Sequence, residues 1–180
     1  LGIESSVVAI TAAALILLLS RSDVTKALHG VEWTTLAFFA GLFIIVGGMV
    51  ETGTISALAN GLIDVTGGNV FLTMIVLVFA SAVVSSFLDN IPFVATMIPI
   101  LLAMEGTGMD VTPLWWAVSL GACLGGNGTL IGASANVVLS DISAKHGHAI
   151  TFMQYLKIGF PMMVMSVAIA AIYLVMRFPA

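Results

Sequence analysis

Long runs without charged residues recur along the chain, and their length predicts membrane-crossing helices. Residues 2–19 form one such run, interrupted only by Glu4 near its start. Residues 33–50 and 70–88 are uncharged throughout, and 158–176 makes a fourth run that opens with Gly159 and Pro161. With a rise of ~1.5 Å per residue, each is long enough for a hydrocarbon core about 30 Å thick.

Two further apolar stretches break this pattern. Ile91 to Met104 holds Pro92 and Pro99 and follows Asp89-Asn90 with no room for an external loop. A helix of that size spans only about 21 Å. It therefore pairs with 70–88 as a re-entrant hairpin over 70–104, with Asp89 and Asn90 at a tip inside the membrane. The alternative is an ordinary external turn with Asn90-Ile91-Pro92 as its turn residues. The second stretch, 114–139, carries Gly125-Gly126-Asn127-Gly128-Thr129 at its centre. Each glycine lowers helix propensity by roughly 1 kcal/mol. The pattern predicts a broken span, with half-helices at 114–124 and 130–139. Non-helical backbone survives in lipid only where it faces protein, water or an ion, so two such places in one chain point to a binding site.

Residues 53–66 are more polar. Ile55, Leu58, Leu62 and Ile63 fall on one helical face, which predicts a helix lying flat at the interface; a short crossing is the alternative. Arg21 and Lys26 follow the first span and Lys145 and Lys157 precede the last, whereas 51–69 and 105–113 carry no basic residue. The basic loops thus fall on one side, read as cytoplasmic, with Arg177 opposite.

Composition narrows the class. Of 180 residues, 60% are hydrophobic and 8% charged, against about 25% charged in soluble domains; mean hydropathy is +1.18. An all-α integral membrane protein with one transmembrane domain is expected. Five Lys+Arg against nine Asp+Glu leave no basic surface for nucleic acid. The one cysteine, Cys123, forms no internal disulfide, and no Cys/His cluster has zinc spacing. A nucleophile-base pair is missing too, so no enzyme activity is expected. The opening at Leu1 rather than Met fits a fragment or a processed chain, and the first run, without a basic n-region or a small-residue cleavage site, is not read as a signal peptide.

Asp89 carries the sharpest chemical signal. A carboxylate at membrane depth costs several kcal/mol unless it binds a cation, exchanges a proton or pairs with a base. In the second motif glycines permit φ > 0 and close approach, and Asn127, Thr129, Ser134 and Asn136 offer neutral polar groups. Freed carbonyls suit a hard cation; a half-helix N-terminus suits an anion. Asp89, Asn90, Asn127 and Thr129 could hold sodium. Small residues packing helices closely is the competing account, strongest for Gly132, Ala133 and Ala135. Thr96 serves the site or packing equally well. Ser85 and Ser86 are read as bonding their own helix, Glu51 and Asp64 as interface markers, and Glu4 as solvated. His29, His146 and His148 fall in aqueous loops, and the ten methionines pack or face lipid.

The run Ser86-Phe87-Leu88-Asp89-Asn90-Ile91-Pro92-Phe93-Val94-Ala95-Thr96-Met97-Ile98-Pro99, the later segment Gly121 to Val138 and the ending Gly159-Phe160-Pro161-Met162-Met163 resemble the ion transporter superfamily. The likeness is to the C-terminal half of the branch with the pigmentation-associated P protein, arsenite permeases and D-type sodium/proton antiporters. It implies two inverted repeats, of which this chain is the second, with a missing N-terminal repeat completing the site. It also implies a homodimer and a secondary transporter coupled to sodium or protons, with binding groups at Asp89, Asn90, Ile91, Thr96, Gly126, Asn127, Gly128, Thr129, Ser134 and Asn136. Related dicarboxylate and citrate carriers have Ser-Asn-Thr at the tip and a Thr-Pro-Pro-Asn-like loop; here Asp89-Asn90-Ile91 and Asn127-Gly128-Thr129 stand there. A fixed negative charge at the tip favours a cation or proton over a carboxylate. An uncoupled channel or permease for a small ion or neutral solute such as arsenite, a citrate carrier and a structural membrane subunit are the alternatives. The expected location is a prokaryotic inner membrane.

Overall fold

A computed structural model describes residues 4–20, 23–31 and 33–179. They form helices and no strand: α1 (Ser5–Ser20), α2 (Val24–His29), α3 (Trp33–Glu51), α4 (Thr54–Thr66), α5 (Val70–Ser85), α6 (Asn90–Glu105), α7 (Thr112–Gly125), α8 (Ser134–Lys145) and α9 (Phe152–Arg177). The chain divides within α3 into two compact units, Leu1–Gly41 and Leu42–Ala180.

In the first unit α1 is apolar on all sides and buries none of its residues, as a lipid-facing helix does. The short α2 was not expected. Its signals are nonetheless present: the Asp23 carboxylate accepts from Thr25 N–H at 2.9 Å, and Gly30 closes the C-terminus. Arg21, part of the expected basic loop, lies outside the described residues.

In the second unit the chain bends by 71° between Leu36–Glu51 and Thr54–Thr66. Gly53 makes the corner at φ 74°, where any other residue would be strained. Helix α4 buries Ile55 and Ala59 and half-buries Leu62 and Ile63, but Leu58 points outward. The inner face is therefore set by Ala59 in place of Leu58. Beyond α4, the Thr73 hydroxyl donates to Thr66 Oγ1 at 2.8 Å and to Asn69 C=O at 2.8 Å, tying the next corner.

The core forms where α5, α7 and α9 meet, around Met74, Val78, Leu114, Val118, Met163 and Val167. Helix α6 packs on α4 and α7 more than on α5, its sequence neighbour. The seam between α5 and α7 is unusually tight because two glycines remove side chains there. A Cβ on Gly121 would lie 2.5 Å from Val78 C=O, and one on Gly125 would lie 2.6 Å from Ala82 Cα. Small residues give close helix approach in membranes, where lipid tails remove the usual hydrophobic drive between helices.

Helix α9, with 26 residues, is about 39 Å long and is long and apolar enough to cross a bilayer. It starts at Phe152 rather than at 158 because a reciprocal cap fixes its first turn. Thr151 N–H donates to Gln154 Oε1 at 2.9 Å, and Gln154 N–H donates to Thr151 Oγ1 at 3.3 Å. Helices α1, α5 and α6 have 16 residues each, roughly 24 Å. Thus α5 ends three residues before the expected limit, and residues 86–89 turn the chain.

Candidate functional site

The turn between α5 and α6 and the gap between α7 and α8 meet in one layer. The regular helix gives way to turns and bends over residues 86–89 and again over 126–133, although Ser86 and Gly126 themselves keep right-handed helical angles. The second gap is longer than expected, because Ala133 is extended at φ −146°, ψ 138° and α8 begins only at Ser134. Asp141 ends the uncharged run without ending the helix. Its carboxylate pairs with Lys145 one turn on at 2.6 Å, and α8 continues to Lys145.

Two side chains hold the layer together. The fully buried Thr129 hydroxyl donates to Ser86 C=O, joining the unwound loop to the turn after α5. The Asn136 amide reaches back from α8, donating to Gly126 C=O at 3.0 Å and to Thr129 C=O at 3.1 Å. Both answer the same requirement, since backbone carbonyls freed from a helix must find donors when buried. One residue before Ser86, the buried Ser85 hydroxyl donates not to its own helix, as expected, but to Ala122 C=O at 2.8 Å, a second polar link between α5 and α7.

The motif glycines act by absence of bulk. Left-handed glycines among the described residues are Gly53, Gly67, Gly68, Gly108 and Gly147, all in connections; Gly125, Gly126, Gly128 and Gly132 are not among them. The expectation that φ > 0 explains this motif is therefore corrected. A Cβ on Gly128 would lie 2.9 Å from Ser86 Cβ and 3.0 Å from Met163 Cε, and one on Gly132 would lie 2.7 Å from Ser86 C=O. On α9, a Cβ at Gly159 would come within 2.9 Å of Asn127 C=O. The loop is thus wedged between the turn at Ser86 and the stretch Gly159 to Met163. That stretch begins about 3 Å beyond Lys157 and extends to about 9 Å along the apolar part of α9.

Asp89 has a local role as well. It is the N-cap of α6, where its carboxylate accepts from Ile91 N–H at 3.1 Å. Such a cap contributes about 0.5–2 kcal/mol, and the positive end of the helix dipole favours a carboxylate there. Asp89 and Asn90 are half-buried, and Asp89 makes no ion pair among the described residues. Asn90 and Ile91 line an apolar cleft of about 370 Å³ with Phe43, Val94 and Ala95. Thr96 donates to Phe93 C=O at 2.7 Å within its own helix. Ser134 and Asn127 are exposed, and α8 has no side-chain cap.

Of the sequence candidates, the structure draws Gly126, Gly128, Thr129 and Asn136 into one hydrogen-bonded and packed group. It leaves Asp89, Asn90, Ile91 and Thr96 along the start of α6. The link between the two groups runs through Ser86, whose hydroxyl bonds Val83 C=O at 2.6 Å as expected while its carbonyl receives Thr129. Gly132 and Gly159 lie outside the sequence candidates; their place opposite Ser86 and Asn127 becomes meaningful only in three dimensions. The layer offers a carboxylate, carbonyl oxygens and the uncapped N–H groups of α8, a set able to meet either charge. Among the described residues no group of three His, Cys, Asp or Glu could hold a metal.

A family model described as citrate transporter matches residues 3–121. An uncharacterized transporter of Mycobacterium tuberculosis, Rv2684, is 43% identical over 99% of this chain and 42% of its own length. A 46 kDa membrane protein of Mycobacterium leprae is 42% identical over 96% of this chain and 41% of its own. The human P protein is 42% identical over 89% of this chain and 20% of its own. The chain therefore spans about two-fifths of the mycobacterial relatives and one-fifth of the P protein. No solved structure matches.

Proposed function

The chain belongs to the citrate transporter family of all-α integral membrane proteins, and on that premise we propose that it forms the substrate-facing part of a secondary active transporter. Transport is coupled to sodium or protons. The observation that carries this reading is the buried bond from Thr129 to Ser86 C=O. It joins two stretches of non-helical backbone beside the apolar part of α9, where lipid would leave such groups unsatisfied. Helix α5, the turn at 86–89 and α6 act as a re-entrant hairpin, and α7 and α8 as the halves of a broken span. Both helix starts in this layer, α6 and α8, present positive dipole ends to a bound solute, as discontinuous helices of transporters do.

Asp89 supplies the charge for coupling. As a half-buried carboxylate it can take up a proton or a sodium ion, with exposed Asn127 and nearby carbonyls as further oxygen donors. Its charge disfavours a carboxylate substrate unless that ion is bound first. The remainder of the protein, the part of its relatives that this chain does not match, supplies the opposing hairpin. The assembly is a homodimer in a prokaryotic inner membrane.

The test is flux through the full-length protein in proteoliposomes, screened over citrate, other dicarboxylates, arsenite, sodium and protons. Uptake should respond to an imposed sodium or pH gradient, and Asp89→Asn should abolish that response. Flux indifferent to both gradients would leave an uncoupled pathway. Unchanged coupling in Asp89→Asn would remove Asp89 from the mechanism.

A further inference from the structure

At the end of the second unit away from Thr129, the start of α5, the start of α7 and the end of α9 enclose a cleft of about 520 Å³. Its accessible floor is apolar, formed by Val70, Phe71 and Phe178, and its rim carries Asn69, Asp110 and Arg177. None of these polar groups belongs to the layer described above. Asp110 and Arg177 share the rim without pairing, since the ion pair found among the described residues is Lys145 with Asp141. An acid and a base held around one cleft, each with room for a partner, form a receptor for a ligand carrying both charges.

Each group is also oriented. The Asp110 carboxylate accepts from Thr112 N–H at 2.9 Å through one oxygen, which fixes the plane of the other. The Thr112 backbone N–H, with its hydroxyl, holds the Asp110 carboxyl below its ordinary value, so it is ionised at neutral pH. The Arg177 guanidinium lies 5.2 Å from the centroid of the Phe178 ring, a cation–π placement that steadies the long side chain. Arg177 directly follows the apolar run that ends at Met176, which puts the cleft at the level of lipid headgroups. Beyond Asp110 the space continues into a second cleft of about 530 Å³ that reaches Asn60 and Thr107.

We propose that this cleft binds a phospholipid with an ethanolamine headgroup. The phosphodiester accepts from the Arg177 guanidinium, whose planar fork matches phosphate oxygens. The primary ammonium donates to Asp110, and the upper acyl chain lies on Val70, Phe71 and Phe178. A trimethylated choline lacks the N–H donors that Asp110 requires, and a glycerol headgroup offers Asp110 neutral hydroxyls in place of a cation. The site discriminates by headgroup as well as by lipid character. Because the cleft is built from the ends of α5, α7 and α9, an occupied cleft braces the three helices that hold the core.

Native mass spectrometry of the full-length protein with added phosphatidylethanolamine, phosphatidylcholine or phosphatidylglycerol tests this. The ethanolamine lipid should be retained about tenfold more than either of the others, the value of one charge-assisted hydrogen bond. Arg177→Gln and Asp110→Asn should each cut its retention about tenfold, with melting temperature in lipid-free detergent serving as the folding control. Soluble phosphoethanolamine at equal concentration should not displace the lipid, because it lacks the chains that cover the apolar floor. Equal retention of the three lipids overturns the proposal without using any variant. So does a preference for the anionic lipid that depends on Arg177 alone, or displacement by the soluble headgroup.

Discussion

Replacing Thr129 by Val probes the join between the turn after α5 and the unwound loop. The substitution keeps the branched shape and removes only the hydroxyl, so the buried packing around Gly128 and Met163 is preserved. The Ser86 carbonyl loses the donor that reaches it. A net hydrogen bond is worth about 0.5–1.5 kcal/mol, and an abandoned buried acceptor costs about 1–3 kcal/mol. Measured bonds between membrane helices fall toward the low end, about 0.6 kcal/mol on average and up to about 1.7. A loss of about 1–2 kcal/mol is therefore expected, which raises the open population by roughly 5- to 30-fold. Hydrogen exchange of the full-length protein in nanodiscs reads this directly. Peptides covering 86–92 and 126–136 should exchange faster together in Thr129→Val, while α9 beyond Val167 should not change. Thr129→Ser keeps the donor and should stay near wild type in both peptides. If both peptides keep wild-type exchange in Thr129→Val, or the loop alone loosens while 86–92 stays protected, the bond does not join the two elements.

Other expectations follow from the same geometry. Gly125→Ala places a methyl 2.6 Å from Ala82 Cα, so α5 and α7 must separate. Overpacking of this kind costs about 1–3 kcal/mol, and an unchanged melting temperature in detergent would contradict the seam. Asn136→Asp substitutes acceptors for the donors that face two carbonyls, and should lower the melting temperature more than Asn136→Ala; the opposite order would show that the amide does not hold the loop. The Asp110 carboxyl sits below its ordinary value of 3.8, chiefly through the Thr112 backbone N–H. A depressed folded value means that its contribution is full above that pH and fades as acid protonates it. The stability difference between wild type and Asp110→Asn should be flat above about pH 5 and shrink below about pH 4; a difference that grows on acidification would reverse the sign.

The helical character and the two interruptions were legible because charge-free length and glycine clusters are local properties of the chain. Boundaries were less so. Charge-free runs mark where lipid can lie, whereas helix ends are set by caps. The Thr151/Gln154 cap lengthened α9, and Asp141 sat inside α8 rather than ending it. The candidate site divided along the same line. Thr129 and Asn136, which the structure joins by hydrogen bonds to one loop, stand out in the sequence as polar residues beside glycines in an apolar run. Gly132, Gly159 and the Ser86 carbonyl were missed because their importance lies in what approaches them from another helix. The role of the motif glycines was misjudged for a related reason. Backbone freedom can be guessed from one residue, but room for a neighbour requires knowing where that neighbour is.

The bare backbone contact at Gly121 and Gly125 has one more consequence. Two helices meshed through carbonyls and α-carbons have no side chains to act as rollers, and a shift of one residue would drive Ala122 or Leu124 into the opposite main chain. They behave as a single plank. Any rearrangement of this unit must carry that plank whole, with the slack taken up at the left-handed corners around Gly53, Gly67-Gly68, Gly108 and Gly147.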